Sequence, residues 1–284
     1  MSTSRHPKSS LSARLTRSTP IAAALLLAVV AVASAHDMFL KPERFRVAGN
    51  ADVLVRLLNG TFSKSENAIV RTRLLDISVV SPAGRERLDT AAWSAEGDTS
   101  TFRVRTGSAG TYVLGVSTRP NVIALSGEEF NGYLRSDGIP DELARRQRER
   151  VLGDSARERY AKHVKALLQV GDARSAEFGT TLGYPAELVP LDNPYALRPG
   201  ATLRVRVLVD GEPVANQYVV YGGRTADGAR VPQRGVRSNA DGIARIRLTG
   251  RGHRYVKFIH MTRVADDPAV THESKWATLT FEVR

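Results

Sequence analysis

Between residues 36 and 117 apolar and polar positions alternate in short β-branched runs, at 44–47, 52–58, 73–80, 101–105 and 110–116. Turn residues separate them, at Ala48-Gly49-Asn50, Asn59-Gly60, Ser81-Pro82-Ala83-Gly84 and Gly107-Ser108-Ala109-Gly110. This spacing predicts an antiparallel β-sandwich that ends near Pro120. Residues 121–140 read as an irregular connector able to line a cleft. The period then changes. Pro140 stands where a first helical turn tolerates proline, and Leu143, Gln147, Val151 and Leu152 follow at helical spacing. After the break at Gly153-Asp154-Ser155, residues Ala156, Tyr160, Val164, Leu167 and Leu168 predict a second helix and hence a helical hairpin. From Leu182 the β pattern returns, with seven runs at 186–190, 202–209, 216–221, 235–238, 243–248, 255–260 and 277–283. Asp210-Gly211 is a tight hairpin turn, and Asn239-Ala240-Asp241-Gly242 a second reversal. Seven strands in about a hundred residues is an immunoglobulin-like count. The expected fold is mainly β: two antiparallel β-sandwich domains, at 36–120 and 179–284, with a connector and helical hairpin at 121–178 inserted between them.

The first 35 residues have another character. Arg5, Lys8, Arg14 and Arg17 precede the apolar run 21–32, and Ala33-Ser34-Ala35 supplies a small-x-small cleavage site. This is the pattern of a signal peptide at 1–35, which predicts an exported, periplasmic protein whose mature chain starts at His36. Its apolar run is short for a bilayer span, and no second apolar run of spanning length follows, so no stable membrane span is expected after cleavage. At His36 a free α-amine and an imidazole would share one residue, and those two nitrogens can close a chelate ring on a late transition metal.

Composition narrows the chemistry. The chain of 284 residues has no cysteine, which excludes disulfides, thiolate metal sites and cysteine nucleophiles. The leader removes four basic residues and no acidic one, so the net charge falls from +12 to +8 on processing. A basic exported protein is drawn to anionic envelope polymers, and nucleic acid is not an expected partner. The densest charge run, from Asp141 to Lys165, pairs locally, as in Glu142 with Arg146 and Glu158 with Lys162, and reads as solvated helix faces.

The mature start His36-Asp37-Met38-Phe39-Leu40-Lys41-Pro42 resembles the exported bacterial family known as domain of unknown function 4198. So do the stretches 160–171, 182–194 and 207–215, Asn239-Ala240-Asp241-Gly242, and 273–282 near the C-terminus. The similarity covers essentially the whole mature chain. It implies a periplasmic component of nickel or cobalt uptake, with the matching His36 as the residue of chemical interest. Lys275, beside Trp276, departs from the uncharged residue usual in relatives.

For a metal (nickel, cobalt, copper or zinc), His36 needs company. His260 ends a strong strand beside the thioether of Met261, and is the second expected ligand. His272, in the loop expected before the last strand, ordinarily stays solvated, and His163 reads as a surface or boundary residue. His253 and His260 are seven apart, an odd number, so on one strand they face opposite sides. Glu128-Glu129 lie in the connector, and sequence neighbours rarely act as acid and base across one substrate. The chain has no G-x-S-x-G, H-E-x-x-H, G-x-x-x-x-G-K or G-x-G-x-x-G. The expectation is therefore not an enzyme but an exported binding protein. It would handle a transition metal or serve a metal-uptake system, with a membrane transporter or cell-envelope protein as partner. The alternative is a structural or interaction module of the envelope.

Overall fold

The computed structural model describes residues 1–2 and 36–284; the expected signal peptide and its cleavage site lie outside the described residues. In chain order the first strands are β1 (Asp37–Pro42), β2 (Arg46–Val47), β3 (Asp52–Gly60), β4 (Leu74–Ser81), β5 (Gly84–Arg87) and β6 (Ser94–Glu96). They are followed by β7 (Thr99–Arg105), β8 (Gly110–Thr118), β9 (Asn121–Leu125), α1 (Gly127–Asp137), α2 (Pro140–Glu149) and β10 (Ala156–Val170). The remainder is β11 (Ala186–Pro190), β12 (Thr202–Val209), β13 (Glu212–Pro213), β14 (Tyr218–Thr225), β15 (Arg230–Arg237), β16 (Ile243–Arg247), β17 (Gly252–Arg263) and β18 (His272–Val283).

The two expected sandwiches exist, and one sheet serves both. It is ten-stranded, in the order β15-β14-β17-β18-β10-β8-β4-β5, with β2 and β9 also pairing β10. A four-stranded sheet, β1-β3-β7-β6, packs over its N-terminal half and encloses Leu40, Val55, Phe102, Leu114, Val164 and Leu168. A second small sheet, β11, β12, β13 and β16, covers the C-terminal half around Leu188, Val205, Ile246, Phe258, Leu279 and Phe281. The joint between the halves is the parallel pairing of β10 with β18, Glu158 against His272 through Ala166 against Thr280. Position 120 falls between β8 and β9, both of which pair β10 in this shared sheet, and position 178 falls between β10 of the shared sheet and β11 of the second small sheet.

The helical hairpin is present but earlier than the spacing suggested. Helix α2 starts at Pro140 as expected, while its partner α1 precedes it in the stretch read as an irregular connector. Ser126 caps α1 in a reciprocal pair with Glu129, which places Glu128 and Glu129 in a first helical turn. The helix expected at Ala156–Leu168 is instead strand β10. Ten consecutive residues there, 161–170, are buried, because β10 is central and covered on both faces. A strand buried on both sides loses the alternation that identifies strands, and its apolar positions then match a helical period by coincidence. Its charged residues are not a solvated face: Glu158, Lys162, His163 and Lys165 are all buried.

On β17 and β18 the two faces carry different chemistry. Val256, Phe258, Ala277, Leu279 and Phe281 point into the C-terminal core. The intervening positions meet β1: Thr278 and Thr280 donate to the carbonyls of Met38 and Leu40, at 2.8 and 2.5 Å. Asp37 reaches Lys257 and Phe39 packs on Tyr255.

Candidate functional site

A cleft of about 420 Å3 opens where β1, the loop after β3, the end of α1 and strands β14, β15 and β17 meet. Its floor is aromatic. Phe39, Phe62 and Tyr255 form a mutual cluster with ring centres 5.0–5.3 Å apart. His36 lines one end.

His36 is fixed at two points. Its Nε2 is hydrogen-bonded to Glu66 Oε2 at 2.5 Å, and its carbonyl accepts from the buried ammonium of Lys162. Lys162 is itself held over the ring of Trp276, 4.5 Å from its centre, and Trp276 stacks on Tyr133 of α1. Burial lowers the Lys162 pKa to about 8, against the pull of Asp37, Asp137 and Glu158. Glu158 closes this network by accepting from Tyr133 and Ser274, and burial raises its carboxyl above the usual range.

The next residue, Asp37, is held as firmly. Both its oxygens accept from Lys257 Nζ, at 2.7 and 2.5 Å, and Asp137 at the end of α1 joins at 3.2 Å. Burial alone would lower the Lys257 pKa, but the two carboxylates outweigh it and hold the pKa above the usual lysine value. Asp137 pays for this crowding: burial, with the charge of Asp37 added, pushes its pKa up to about 6 despite Lys257.

The structure separates the two expected metal ligands. His260 has the parity of Phe258, so it faces away from Lys257 and β1, and it lines a second cleft of about 410 Å3 beside α2. There its Nδ1 is hydrogen-bonded to Gln217 Oε1 at 2.9 Å. His253 does face the other side, with its ring 4.8 Å from that of Phe45, as the odd spacing required. His272 is not solvated: it starts β18, is buried, and bonds Glu142 Oε1 at 3.1 Å and Thr271 Oγ1 at 2.8 Å. His163 is buried on β10 with Nδ1 on Ser117, and burial lowers its pKa to about 4. Among the described residues no group of three or more His, Asp or Glu side chains is disposed to hold a metal ion.

Sequence reasoning missed Glu66, Lys162, Lys257 and Asp137. A lysine in a strand is ordinarily placed at the surface, and only the apolar neighbours of Lys257, Val256 and Phe258, hint at depth. Glu66 lies in a loop with no pattern at all.

Among solved structures, the chain is similar to a DUF4785 family protein from Legionella pneumophila subsp. pneumophila str. Philadelphia 1. The identity is 10%, covering 76% of this chain and 50% of that one, with a TM-score of 0.24. It is also similar to the tetra-tandem repeat in the extending region of a large adhesion protein, at 12% identity over 86% of this chain and 48% of that one, TM-score 0.20. The chain thus spans about half the length of these structures. No curated protein matches it significantly. The family match covers residues 33–262, from just before His36 through β17, and the chain belongs to the family described as Domain of unknown function (DUF4198).

Proposed function

We propose that this is an exported, periplasmic binding protein whose cargo is a divalent transition-metal cation, nickel, cobalt or copper, taken up at His36 once the leader is removed after Ala35. The observation that carries this reading is the fixing of His36 at the end of the cleft, by Glu66 on the ring and Lys162 on the carbonyl. A carboxylate on one ring nitrogen is the usual outer partner of a metal-binding imidazole, since it fixes the tautomer and raises ligand basicity. With Nε2 committed to Glu66, Nδ1 is the nitrogen available to chelate together with a terminal amine. Nearby, the three carboxylates Asp37, Asp137 and Glu158 surround two ammonium groups, Lys257 and Lys162, a balance that favours a further cation on electrostatic grounds. His260 is too differently placed to contribute. Two protein nitrogens leave coordination positions open, which suits a cargo that is handed on, to a membrane transporter or another envelope protein. No catalytic role is assigned.

The test is to export the protein with its own leader, determine the mature N-terminus by mass spectrometry, and titrate Ni(II), Co(II), Cu(II) and Zn(II) into it. The expected result is a chain beginning at His36 that takes up one equivalent of metal. His36→Ala, or one glycine added ahead of His36, weakens uptake at least tenfold. A different mature start, or no stoichiometric uptake of any of the four metals, overturns the reading and leaves the envelope interaction module.

A further inference from the structure

The cleft is much larger than a bare cation requires. A cation with six waters fills roughly 180 Å3 at about 30 Å3 per water, less than half of the 420 Å3 present. Its charges are also sorted by position. At the His36 end every lining carboxylate has a cationic or imidazole partner: Glu66 has His36, while Asp37 and Asp137 share Lys257. Four residues along β17 from Lys257, His253 pairs Arg224 of β14, which also pairs Arg230 of β15, so these two arginines form the other end of the wall, with Ser63 and Gln233. Among the described residues no carboxylate lies within ion-pair distance of either arginine, nor of Lys41 and Arg56 close by.

This positive end is unfavourable to the apo fold. Lys41 and Arg56 stand directly opposite in the β1–β3 register, where like charges repel. Burial, then Arg224, then Arg56 lower the Lys41 pKa, which records the same crowding. Yet Arg224 is held in place rather than left to swing into solvent. Its Nε donates to Ser63 Oγ at 2.7 Å and its Nη1 to the Gly228 carbonyl at 3.0 Å, and no partner for Nη2 is found among the described residues. The backbone is shaped around it as well. The β14–β15 register shifts between Tyr221 and Gly223, and Gly223 has φ 155°, where a Cβ would come within 2.2 Å of the His253 carbonyl. Bulges of this kind re-aim the side chain that follows. A guanidinium with its donors pre-oriented is a receptor for an oxyanion.

We propose that the Arg224–Arg230 end of the cleft binds the carboxylates of a small organic polycarboxylate. Resting on the reading of His36 above, we infer that the metal enters as the complex of that ligand, the cation toward His36 and the free carboxylate toward the arginines. Phosphate would satisfy a guanidinium equally well, but it cannot span the floor of Phe39, Phe62 and Tyr255 that separates the two ends. An organic body can, with its carbon skeleton against the rings. Nearby open coordination positions at the cation are then filled by the ligand's own oxygens.

The experiment is calorimetric titration of the processed protein at about 0.15 M salt, which screens the general attraction of anions to a basic surface. The probes are citrate, Ni(II) or Cu(II) alone, the one-to-one metal–citrate complex, and inorganic phosphate. Citrate is expected to bind, with the metal complex tighter still. Arg224→Gln and Arg230→Gln each weaken citrate at least tenfold, and Arg224→Lys, which keeps the charge and loses the fork, falls between. Arg234→Gln, on the same strand outside the cleft, leaves binding unchanged, and metal alone binds the arginine variants as it binds the parent. Far-ultraviolet circular dichroism and melting confirm that the variants fold. If neither citrate nor its metal complex binds at 1 mM, if the arginine variants bind citrate like the parent, or if phosphate binds as tightly as citrate, the inference is overturned. Metal uptake without citrate uptake removes this inference and leaves the His36 reading intact. Citrate uptake without metal uptake removes the His36 reading and the metal complex with it, and leaves the carboxylate site at Arg224 and Arg230 alone.

Discussion

Lys165 and Lys257 are side by side in depth, with side chains 2% and 3% exposed, and they are neutralised in opposite ways. Lys165 faces the C-terminal core and meets one carboxylate, Glu187, at 2.9 Å. That carboxylate is clasped by the backbone N–H groups of Leu182, Gly183 and Tyr184. The pair is closed, one charge against one, and burial still holds the Lys165 pKa below the usual lysine value despite Glu187. Lys257 meets two carboxylates beside a cleft, and its pKa moves up. Equal burial thus gives opposite shifts, because the count of counter-charges differs. A balanced pair serves the fold, whereas a surplus carboxylate near an opening is a cost to the fold that a bound cation can offset.

The sharpest way to break this comparison is at the closed pair. Glu187→Gln leaves the Lys165 ammonium buried without a counter-charge, and the expected loss is about 3–5 kcal/mol of unfolding free energy. Urea denaturation measures it. A loss under about 1 kcal/mol would show that Lys165 is not held by Glu187, and the contrast with Lys257 would collapse. Cation binding at His36 should be unchanged in whatever fraction of the variant remains folded.

These two lysines also mark where the sequence was readable and where it was not. Strands such as β12, with Leu203, Val205 and Val207 alternating against Arg204 and Arg206, cover one face with core and the other with water, and the pattern declares it. Helix α2 declared itself through Pro140, and the turn at Asp210-Gly211 through residues that accept positive φ, 51° and 87° here. Strand β10 did not, because burial on both faces removes alternation. Glu158, Lys162 and Lys165 there look like a polar face until their partners are known, and those partners come from β11, β18, α1 and His36. The candidate site suffered the same way. The expectation at His36 came from a local cleavage pattern, whereas Glu66, Lys257, Asp137 and Arg224 come to line or adjoin the cleft only through long-range pairing. His260 looked like a companion because distance along the chain says nothing about which face of a shared sheet a strand presents.

The surplus carboxylate makes a more moderate prediction. The folded pKa of Asp137, about 6, lies above the ordinary 3.8, so the unfolded chain ionises first as pH rises. Stability is therefore lost between about pH 4 and pH 6, by at most about 3 kcal/mol for a two-unit shift. Asn mimics the protonated carboxyl. Asp137→Asn should match the parent near pH 3.5, exceed it in stability at pH 7, and lack that segment of the pH profile, as read from melting temperatures across pH 3.5–7.5. A variant whose profile parallels the parent's would mean that Asp137 carries no surplus charge, and the two lysine sites would be alike after all.

The smallest effect tests how the cleft is built rather than how it is charged. Strand β1 follows directly on His36 and carries Asp37 and Phe39 along the cleft, and Thr278 ties it to the central sheet by donating to the Met38 carbonyl. Thr278→Val keeps the shape and removes the donor, so the expected cost is about 1 kcal/mol, the net worth of one such bond. The closed pair at Lys165 shares no group with this contact, so Thr278→Val and Glu187→Gln should add within about 0.5 kcal/mol when combined. Cation affinity separates them further. Loosening β1 shifts the residue that is fixed by Glu66 and Lys162, and uptake should fall several-fold in Thr278→Val while it holds in Glu187→Gln. Were both variants to lose the same affinity, the cleft would be responding to overall stability alone, and β1 would not be the element that positions His36.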